Sequence, residues 1–503
     1  MRYLIILFCF YYNILYSQIN YDKNWVLGYS STQSGDNTTG VKIEFLKDSL
    51  IFTKMKTELF VAQSNVAMSD SLGNLQFYSG GCAIYNSQNK LIVNGDSIGL
   101  GKYKLSYCDS EGSGRIPLTQ MLFTVPNLRK KGIYNIFYLN LADVYTNSNG
   151  FPLSPTQLYH SEIDMNDGFG KISKKNQLIL SDTFARAMLQ GVLHKNSKDW
   201  WIVMPKSQSN CYQIVRFNSD GTYQIKKTCD GMKWTDKDTK GQAVFSPNRK
   251  FYARLGHENG LSIFNFNNST GDLNLKQFIP ITDTFYTSGL AFSPNSRFLY
   301  TMCNQKIYQY DMKAQDIEKS KILIAKSEKS NKSIYKIPFG QSMLAPNGKI
   351  YIAGEATHDY LHVINQPNLL GNLCQFHQYG INIQCLNSYG LPNMPHLREW
   401  KEDTTTLTSM LLEQNNMSIT ANIYPNPASY DLNLDLFGYV NNYQKGKYII
   451  SDLQGRPIAT YPLLPNHDEY RFDISQIQNG IHLWQLILDD KVRQSGKVVV
   501  LKE

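Results

Sequence analysis

The chain has 503 residues, 42% of them hydrophobic and 18% charged, a balance that excludes a disordered tail and a coiled coil. Its 34 Gly and 18 Pro follow no strict period, which excludes collagen, and 33 Tyr within a 13% aromatic content favour strands over helices. The net charge is +9, and none of that surplus comes from residues 419–503, which hold 8 Lys and Arg against 9 Asp and Glu.

The first residues, MRYLIILFCFYYNILYS, carry one basic side chain, Arg2, and then an apolar run through Leu15. Spanning a bilayer takes ~20 apolar residues, so the run reads as a secretory signal peptide over residues 1–17, cut after Ser17. An uncleaved anchor is the alternative. The bulky Phe8 before Cys9 argues against a lipobox. No later stretch is long and apolar enough to cross a membrane, so no transmembrane segment is expected and the mature chain is expected to be secreted. In that setting the basic clusters Arg129-Lys130-Lys131 and Lys319, Lys321, Lys326, Lys329, Lys332 and Lys336 suit an anionic glycan or a surface protein better than nucleic acid. Lysine-rich solvated loops explain the same residues.

Next in chain order come strands Trp25-Val-Leu-Gly28 and Val41-Lys-Ile-Glu-Phe45, followed by a series of hairpins. Three hairpins align directly: Ala243-Val-Phe-Ser-Pro-Asn, Leu290-Ala-Phe-Ser-Pro-Asn and Met343-Leu-Ala-Pro-Asn-Gly, with Pro247, Pro294 and Pro346 spaced 47 and 52 residues apart. Proline presets φ at the turn entry, and Asn or Gly is expected to take the left-handed conformation that reverses the chain. Weaker copies begin at Val66, Met121 and Val192. A period of ~40–50 residues is that of a four-stranded propeller blade. Six hairpins, plus a seventh unit joining the N-terminal strands to Ser388-Tyr-Gly-Leu-Pro-Asn393, predict an all-β fold: a seven-bladed β-propeller over residues 18–400, with six or eight blades as alternatives. Closing the ring leaves no sheet edge at the seam.

Seven cysteines follow the leader: Cys82, Cys108, Cys211, Cys229, Cys303, Cys374 and Cys385. None forms a CxxC pair, which argues against zinc ribbons and thioredoxin-type sites. Cys211 and Cys229 are symmetric about Asp220, and Cys374 and Cys385 about Tyr379-Gly380. Each pair could bridge a hairpin, worth roughly 2–4 kcal/mol, with buried free thiols as the alternative. Cys303 is the expected odd thiol.

Motifs that would carry chemistry are sparse. Gly95-Asp96-Ser97-Ile98 mimics the nucleophile block of an esterase family, but in a Gly-rich loop among strands it lacks the α/β context that chemistry uses. Asp236-Lys-Asp-Thr-Lys-Gly241 opens like a calcium loop, yet Lys240 fills a ligand position and Pro247 stands where a bidentate Glu belongs. The carboxylates Glu162, Asp164 and Glu355 are scattered. No catalytic residue, metal site or cofactor is expected. The repeats place polar residues just before the innermost strands: Asn65, Gln120, Gln190, Gln242, Ser288 and Gln341. These are expected to ring one mouth of the central channel and offer amides to a ligand, although a polar channel filled by water would show the same pattern.

Over roughly residues 25–400 the chain resembles a group of secreted, propeller-like proteins of Gram-negative bacteria that use a type IX secretion system. The resemblance rests on Trp25-Val-Leu-Gly28, Asp70-Ser-Leu-Gly-Asn-Leu-Gln-Phe-Tyr78, Gln157-Leu-Tyr-His-Ser-Glu-Ile-Asp-Met165 and Asn387-Ser-Tyr-Gly-Leu-Pro-Asn393. It brings no active site with it.

Residues 401–418 are polar and read as a linker. After them, strands at Leu432, Tyr448, Tyr470, Leu483 and Val498, separated by turn signals, predict a small β-sandwich over 419–503. Tyr424, Pro425, Asn426 and Pro427, then Asp452 and Gly455, then Gly480 and Lys497 are similar in order to the type A C-terminal sorting domain of type IX cargo. That resemblance implies passage through the outer-membrane translocon, removal of the module near the linker, and residence outside the cell or on the outer-membrane surface. The sequence departs from the pattern at Ile481-His-Leu-Trp484 and at Leu501-Lys-Glu503. An accessory glycan-binding sandwich is the competing reading of the module. With no catalytic constellation in view, a non-catalytic binding or adhesion protein is the expected function; a secreted hydrolase or lyase acting on glycans is the alternative.

Overall fold

The computed structural model describes residues 20–29, 40–99, 108, 118–141, 155–233, 241–256, 260–281, 288–329, 335–388, 390–400, 419–438, 443–465 and 467–502. The expected signal peptide (1–17), the linker (401–418) and most of the calcium-like loop lie outside them.

Among the described residues, seven antiparallel sheets precede residue 400. Blade one holds β1 (Asn24–Gly28), β2 (Gly40–Phe45) and β3 (Leu50–Met55). Blade two holds β4 (Val66–Ser69), β5 (Leu75–Ser79) and β6 (Ile84–Asn86). Blade three is β7 (Leu122–Pro126), β8 (Ile133–Leu141), β9 (Pro155–Asp164) and β10 (Lys171–Ser181), and blade four is β11 (Gln190–Leu193), β12 (Trp200–Pro205), β13 (Cys211–Phe217) and β14 (Tyr223–Cys229). Blade five comprises β15 (Gln242–Phe245), β16 (Phe251–Gly256), β17 (Gly260–Asn267) and β18 (Asp272–Ile279). Blade six comprises β19 (Ser288–Phe292), β20 (Phe298–Cys303), β21 (Lys306–Asp311) and β22 (Ile322–Lys326). Blade seven is β23 (Phe339–Leu344), β24 (Ile350–Gly354), β25 (His358–Ile364) and β26 (Phe376–Asn387).

The apolar clusters show that these sheets form a closed ring, since each sheet buries its faces against its neighbours. Val26 and Met55 of blade one pack with Ala67 and Tyr78 of blade two. One cluster then runs through blades two, three and four, and others join four to five, five to six and six to seven. The last joins Met343, Tyr351, Leu361 and Ile383 of blade seven to Trp25, Leu27 and Val41 of blade one. This seven-bladed β-propeller closes through side-chain packing and not through a shared blade. The expected unit joining the N-terminal strands to Ser388–Asn393 is not formed, since β1, β2 and β3 make a sheet of their own and Pro392 of the returning segment bridges Asn65, just before β4, instead.

The Pro-Asn hairpins form as expected, with one correction. Gly348 takes the left-handed conformation as expected, at φ 78°, but in the other two turns the left-handed residue is the one after the asparagine, Arg249 and Ser296, at φ 62° and 60°. The asparagine instead caps the turn. Asn248 Oδ1 accepts from the Ser246 hydroxyl at 2.7 Å and from Lys250 N–H at 3.1 Å, and Asn295 repeats both bonds with Ser293 and Arg297.

Cys211 and Cys229 are direct cross-strand partners in β13 and β14 and are disulfide-bonded. The expected Cys374–Cys385 bridge is not formed. Cys374 packs in the cluster between blades six and seven and Cys385 in the one between seven and one, so they lie on opposite faces of blade seven. Burial pushes both thiols up to about 12. The second disulfide is instead Cys82–Cys108, and Cys303 is buried and outside both disulfides, as expected.

The C-terminal module has two sheets. One is β27 (Thr420–Tyr424), β28 (Asp431–Phe437) and β31 (Glu469–Asp473). The other runs β30 (Pro457–Leu463), β29 (Gly446–Ser451), β32 (Gly480–Leu488) and β33 (Lys491–Val500). Leu432, Leu434 and Phe472 of the first share one core with Tyr448, Trp484 and Val498 of the second, which makes the module a β-sandwich with a core of its own.

Candidate functional site

Asn65, Gln120, Gln190, Gln242, Ser288 and Gln341 are all buried, and the amides of four of them are committed to bonds within the protein. Gln120 Nε2 donates to Ala243 O at 2.9 Å while its Oε1 accepts from Ala243 N–H at 2.9 Å. Gln242 Nε2 donates to Ser342 O at 2.7 Å, and its Oε1 accepts from the N–H groups of Leu290 and Ser342. Asn65 Nδ2 donates to Val61 O.

The returning segment 390–396 occupies the remaining space. Its backbone bonds to Ala62 and Asn65, and a Cβ at Gly390 would stand 1.9 Å from Gln63 O, so only glycine fits there. Asn393 then reaches across the axis, donating to Leu122 O and Leu189 O at 2.7 and 2.8 Å and accepting from Gln190 Nε2 at 2.5 Å. A cavity of about 30 Å³ remains, lined by Gln120, Gln190, Gln242, Gln341, Asn393 and His396 among others. That is room for about one water. Of the ring expected at the channel mouth, Gln120, Gln190, Gln242 and Gln341 line this cavity, and the amides of Gln120, Gln190 and Gln242 tie blades to one another and to the chain's return; Ser288 is buried at the start of β19 and is not among the lining residues.

His160 Nε2 pairs with Asn135 Oδ1 at 2.8 Å, and His362 Nδ1 accepts from Tyr379 N–H. Burial pushes both imidazoles down to about 3, so neither takes up a proton readily at neutral pH. Asp96, in the esterase-like stretch, pairs with Lys175. Glu162 and Asp164 sit on β9 beside Lys174 and Lys171. No group of three or more His, Cys, Asp or Glu able to hold a metal occurs among the described residues.

The two histidines have a consequence for stability. Each is neutral in the fold with a depressed pKa, while the unfolded chain protonates near 6.5, so stability is lost as pH falls below about 6.5 and continues to fall toward 3. Between pH 7 and 5 each should cost about 2 kcal/mol. Thermal unfolding measured against pH should show this loss, and His160→Gln should flatten part of it; an unchanged slope in that variant would refute the assignment.

An open cleft lies on the rim, where turns of blades six, seven and one meet Trp400. It measures about 430 Å³, within the ~300–1,000 Å³ usual for small-ligand sites. The half-buried Trp400 ring lies against Gly348, 3.4 Å from where a Cβ would stand. Around it Lys349 Nζ donates to Asn365 Oδ1 at 2.7 Å, Asn347 Nδ2 donates to Tyr351 OH, and Asn368 Oδ1 accepts from Asn295 N–H. Gln366 is exposed on the same wall. Asp48 is the sole carboxylate among the described lining residues. Sequence reading passed over Trp400 because a lone tryptophan beside a linker carries no spacing signal.

The expected sorting residues gather at one end of the C-terminal sandwich and at its turns. Asn426 Nδ2 donates to Lys497 O at 3.2 Å and its Oδ1 accepts from Val499 N–H at 2.8 Å, fastening Tyr424-Pro-Asn-Pro427 onto β33. Asp452 Oδ1 accepts from the N–H groups of Gln454 and Arg456, with Gly455 at φ 83° completing the turn that only a left-handed residue closes. Gly480 opens β32.

Residues 422–501 match the family model described as the secretion system C-terminal sorting domain. No curated protein matches the sequence. Among solved structures, one described as a proposed 6-phosphogluconolactonase of Bacteroides fragilis is 11% identical, with a TM-score of 0.42, covering 73% of this chain and 98% of that one. The periplasmic gluconolactonase of Pseudomonas aeruginosa is 10% identical, with a TM-score of 0.35 and coverage of 90% and 99%. The β-propeller domain of Cps50 (Swd1) from Myceliophteria thermophila is 9% identical, with a TM-score of 0.32 and coverage of 62% and 89%. No helix among the described residues is long and apolar enough to cross a membrane.

Proposed function

We propose, starting from a chain whose residues 422–501 belong to the secretion system C-terminal sorting domain family and which is therefore carried by the type IX system to the extracellular space or cell surface, that its propeller is a non-catalytic binding module. The rim cleft is the binding site, and a glycan is its ligand. The observation that carries this reading is the composition of the cleft: an indole face beside Asn347, Asn365, Gln366 and Asn368, with one carboxylate. A flat aromatic ring offers a surface for the C–H face of a sugar, and amides donate to and accept from its hydroxyls. Hydrolysis by the usual glycosidase mechanisms needs two carboxyl groups flanking the bond, and Asp48 is the one carboxylate among the described lining residues.

A glycan array probed with purified protein, with hydrolysis of the same glycans and of simple esters assayed in parallel, tests the proposal. Binding without turnover is expected, and Trp400→Ala should weaken it about tenfold or more, ~1.4 kcal/mol. Turnover of any glycan or ester by the wild-type chain would overturn it.

A further inference from the structure

The C-terminal module is seated on the propeller through a contact built from both sides. Strand β22 is the outermost strand of blade six and so presents an unpaired edge. Gly438, directly after β28, donates its N–H to Leu323 O at 3.3 Å and forms an antiparallel bridge there. Beside it, Phe437 packs on the apolar cluster of blades five and six, which includes Leu323 and Tyr308.

The charges complete the fit. Lys326 Nζ lies 2.9 Å from both Asp435 Oδ1 and Glu469 Oε1, and Lys306 Nζ lies 3.4 Å from Glu469 and 3.8 Å from Asp468. Tyr308 OH donates to Asp468 Oδ2 at 3.3 Å. The Lys326 and Asp435 side chains retain only 11% and 7% of their exposure. Burial pushes the Glu469 carboxyl up, and the bonds and charges of Lys326 and Lys306 more than reverse this, leaving it below the usual carboxylate range.

Within the module, this arrangement is costly without the propeller. Asp435 and Glu469 are direct cross-strand partners on β28 and β31, and like charges placed opposite each other destabilise a sheet. Lys326 lies between them. Asp435 also accepts from the hydroxyl of Tyr424, the first residue of the sorting motif, at 3.3 Å, so the contact reaches the motif itself. Lys326 belongs to the basic run for which the sequence suggested an anionic glycan, a surface protein or solvent.

We propose that the outer edge of blade six is a docking site for an acidic, extended segment, filled in the full-length chain by residues 431–438 and 468–469 of its own sorting module. In the exported precursor the module is then held in one orientation. Its removal near the linker uncovers a strand edge, an apolar patch and two lysines on the mature propeller.

A specific protease site placed within residues 401–418 of the full chain tests this. After cutting, the module should co-elute with the propeller at about 0.1 M salt and separate at about 1 M, where the Debye length falls from ~10 Å to ~3 Å. Lys306→Glu with Lys326→Glu should weaken retention about tenfold or more at low salt. Adding Asp435→Lys and Glu469→Lys to that variant should restore it, a rescue that misfolding could not produce. Separation of the cut wild-type module at low salt, or equal retention in the charge-reversed variant, would overturn the proposal.

Discussion

A chain ending at residue 418 should stop in the periplasm, with essentially all of its surface and extracellular signal lost. The residues matching the sorting family lie at 422–501, and they form one folded unit with its own two-sheet core. Deletion therefore removes the whole signal and leaves the propeller's ring of blade-to-blade clusters in place. The truncated protein should remain protease-resistant, apart from the loss of Phe437 from the outer edge of blade six, and this separates failed sorting from failed folding. The signal peptide expected at residues 1–17 is left intact by the truncation and should direct export across the inner membrane without the module. Fractionation with proteinase accessibility on whole cells is the measurement. Surface display undiminished by the deletion would sink the role assigned to the module.

What sequence could see was local chemistry. The Ser-Pro-Asn turns repeat because the caps at Ser246–Asn248 and Ser293–Asn295 are made within five residues, and alternation in the flanking strands marks the hairpins. Cys211 and Cys229 were legible because hairpin symmetry puts them in register. The same argument failed at Cys374 and Cys385, where a short 3-10 turn at Gly371–Cys374 precedes β26 and register shifts interrupt its pairing with β25. The Cys82–Cys108 bridge joins stretches with no regular spacing between them. Long-range geometry was equally hidden. Polar residues before the inner strands were visible, but not that Gln120 and Gln242 would bond across the axis to residues about 100 or more positions away or that Asn393 would fill the centre. Lys326 read as a solvated lysine, since Asp435 and Glu469 meet it only after two separate domains have folded.

The contact that joins the propeller's two ends carries the largest single-residue effect. Arg398 lies just past the returning segment and Asp22 just before β1. Arg398 Nε and an Nη donate to the two carboxylate oxygens of Asp22 at 3.2 and 3.0 Å, and the same Nη reaches Asn20 Oδ1 at 3.3 Å. Both side chains are buried. Burial pushes the Asp22 carboxyl up, and the charge and hydrogen bond of Arg398 only partly hold it down. Arg398→Met should therefore cost about 3–5 kcal/mol at neutral pH, because it strands a buried carboxylate at the seam of the ring. The sign of its pH dependence is fixed. In the variant the folded-state pKa of Asp22 rises further above the unfolded value of about 3.9, so the deficit is full above that raised pKa and shrinks as pH falls through it and the fold takes up a proton. Adding Asp22→Asn should recover most of the loss at pH 7 by removing the stranded charge, and a double-mutant cycle would give the coupling between the two residues. Denaturant midpoints at pH 7 and pH 5 for the four proteins decide it. A loss below about 1 kcal/mol in Arg398→Met, or one that grows on mild acidification relative to wild type, would show that the ring closes through its apolar seam alone.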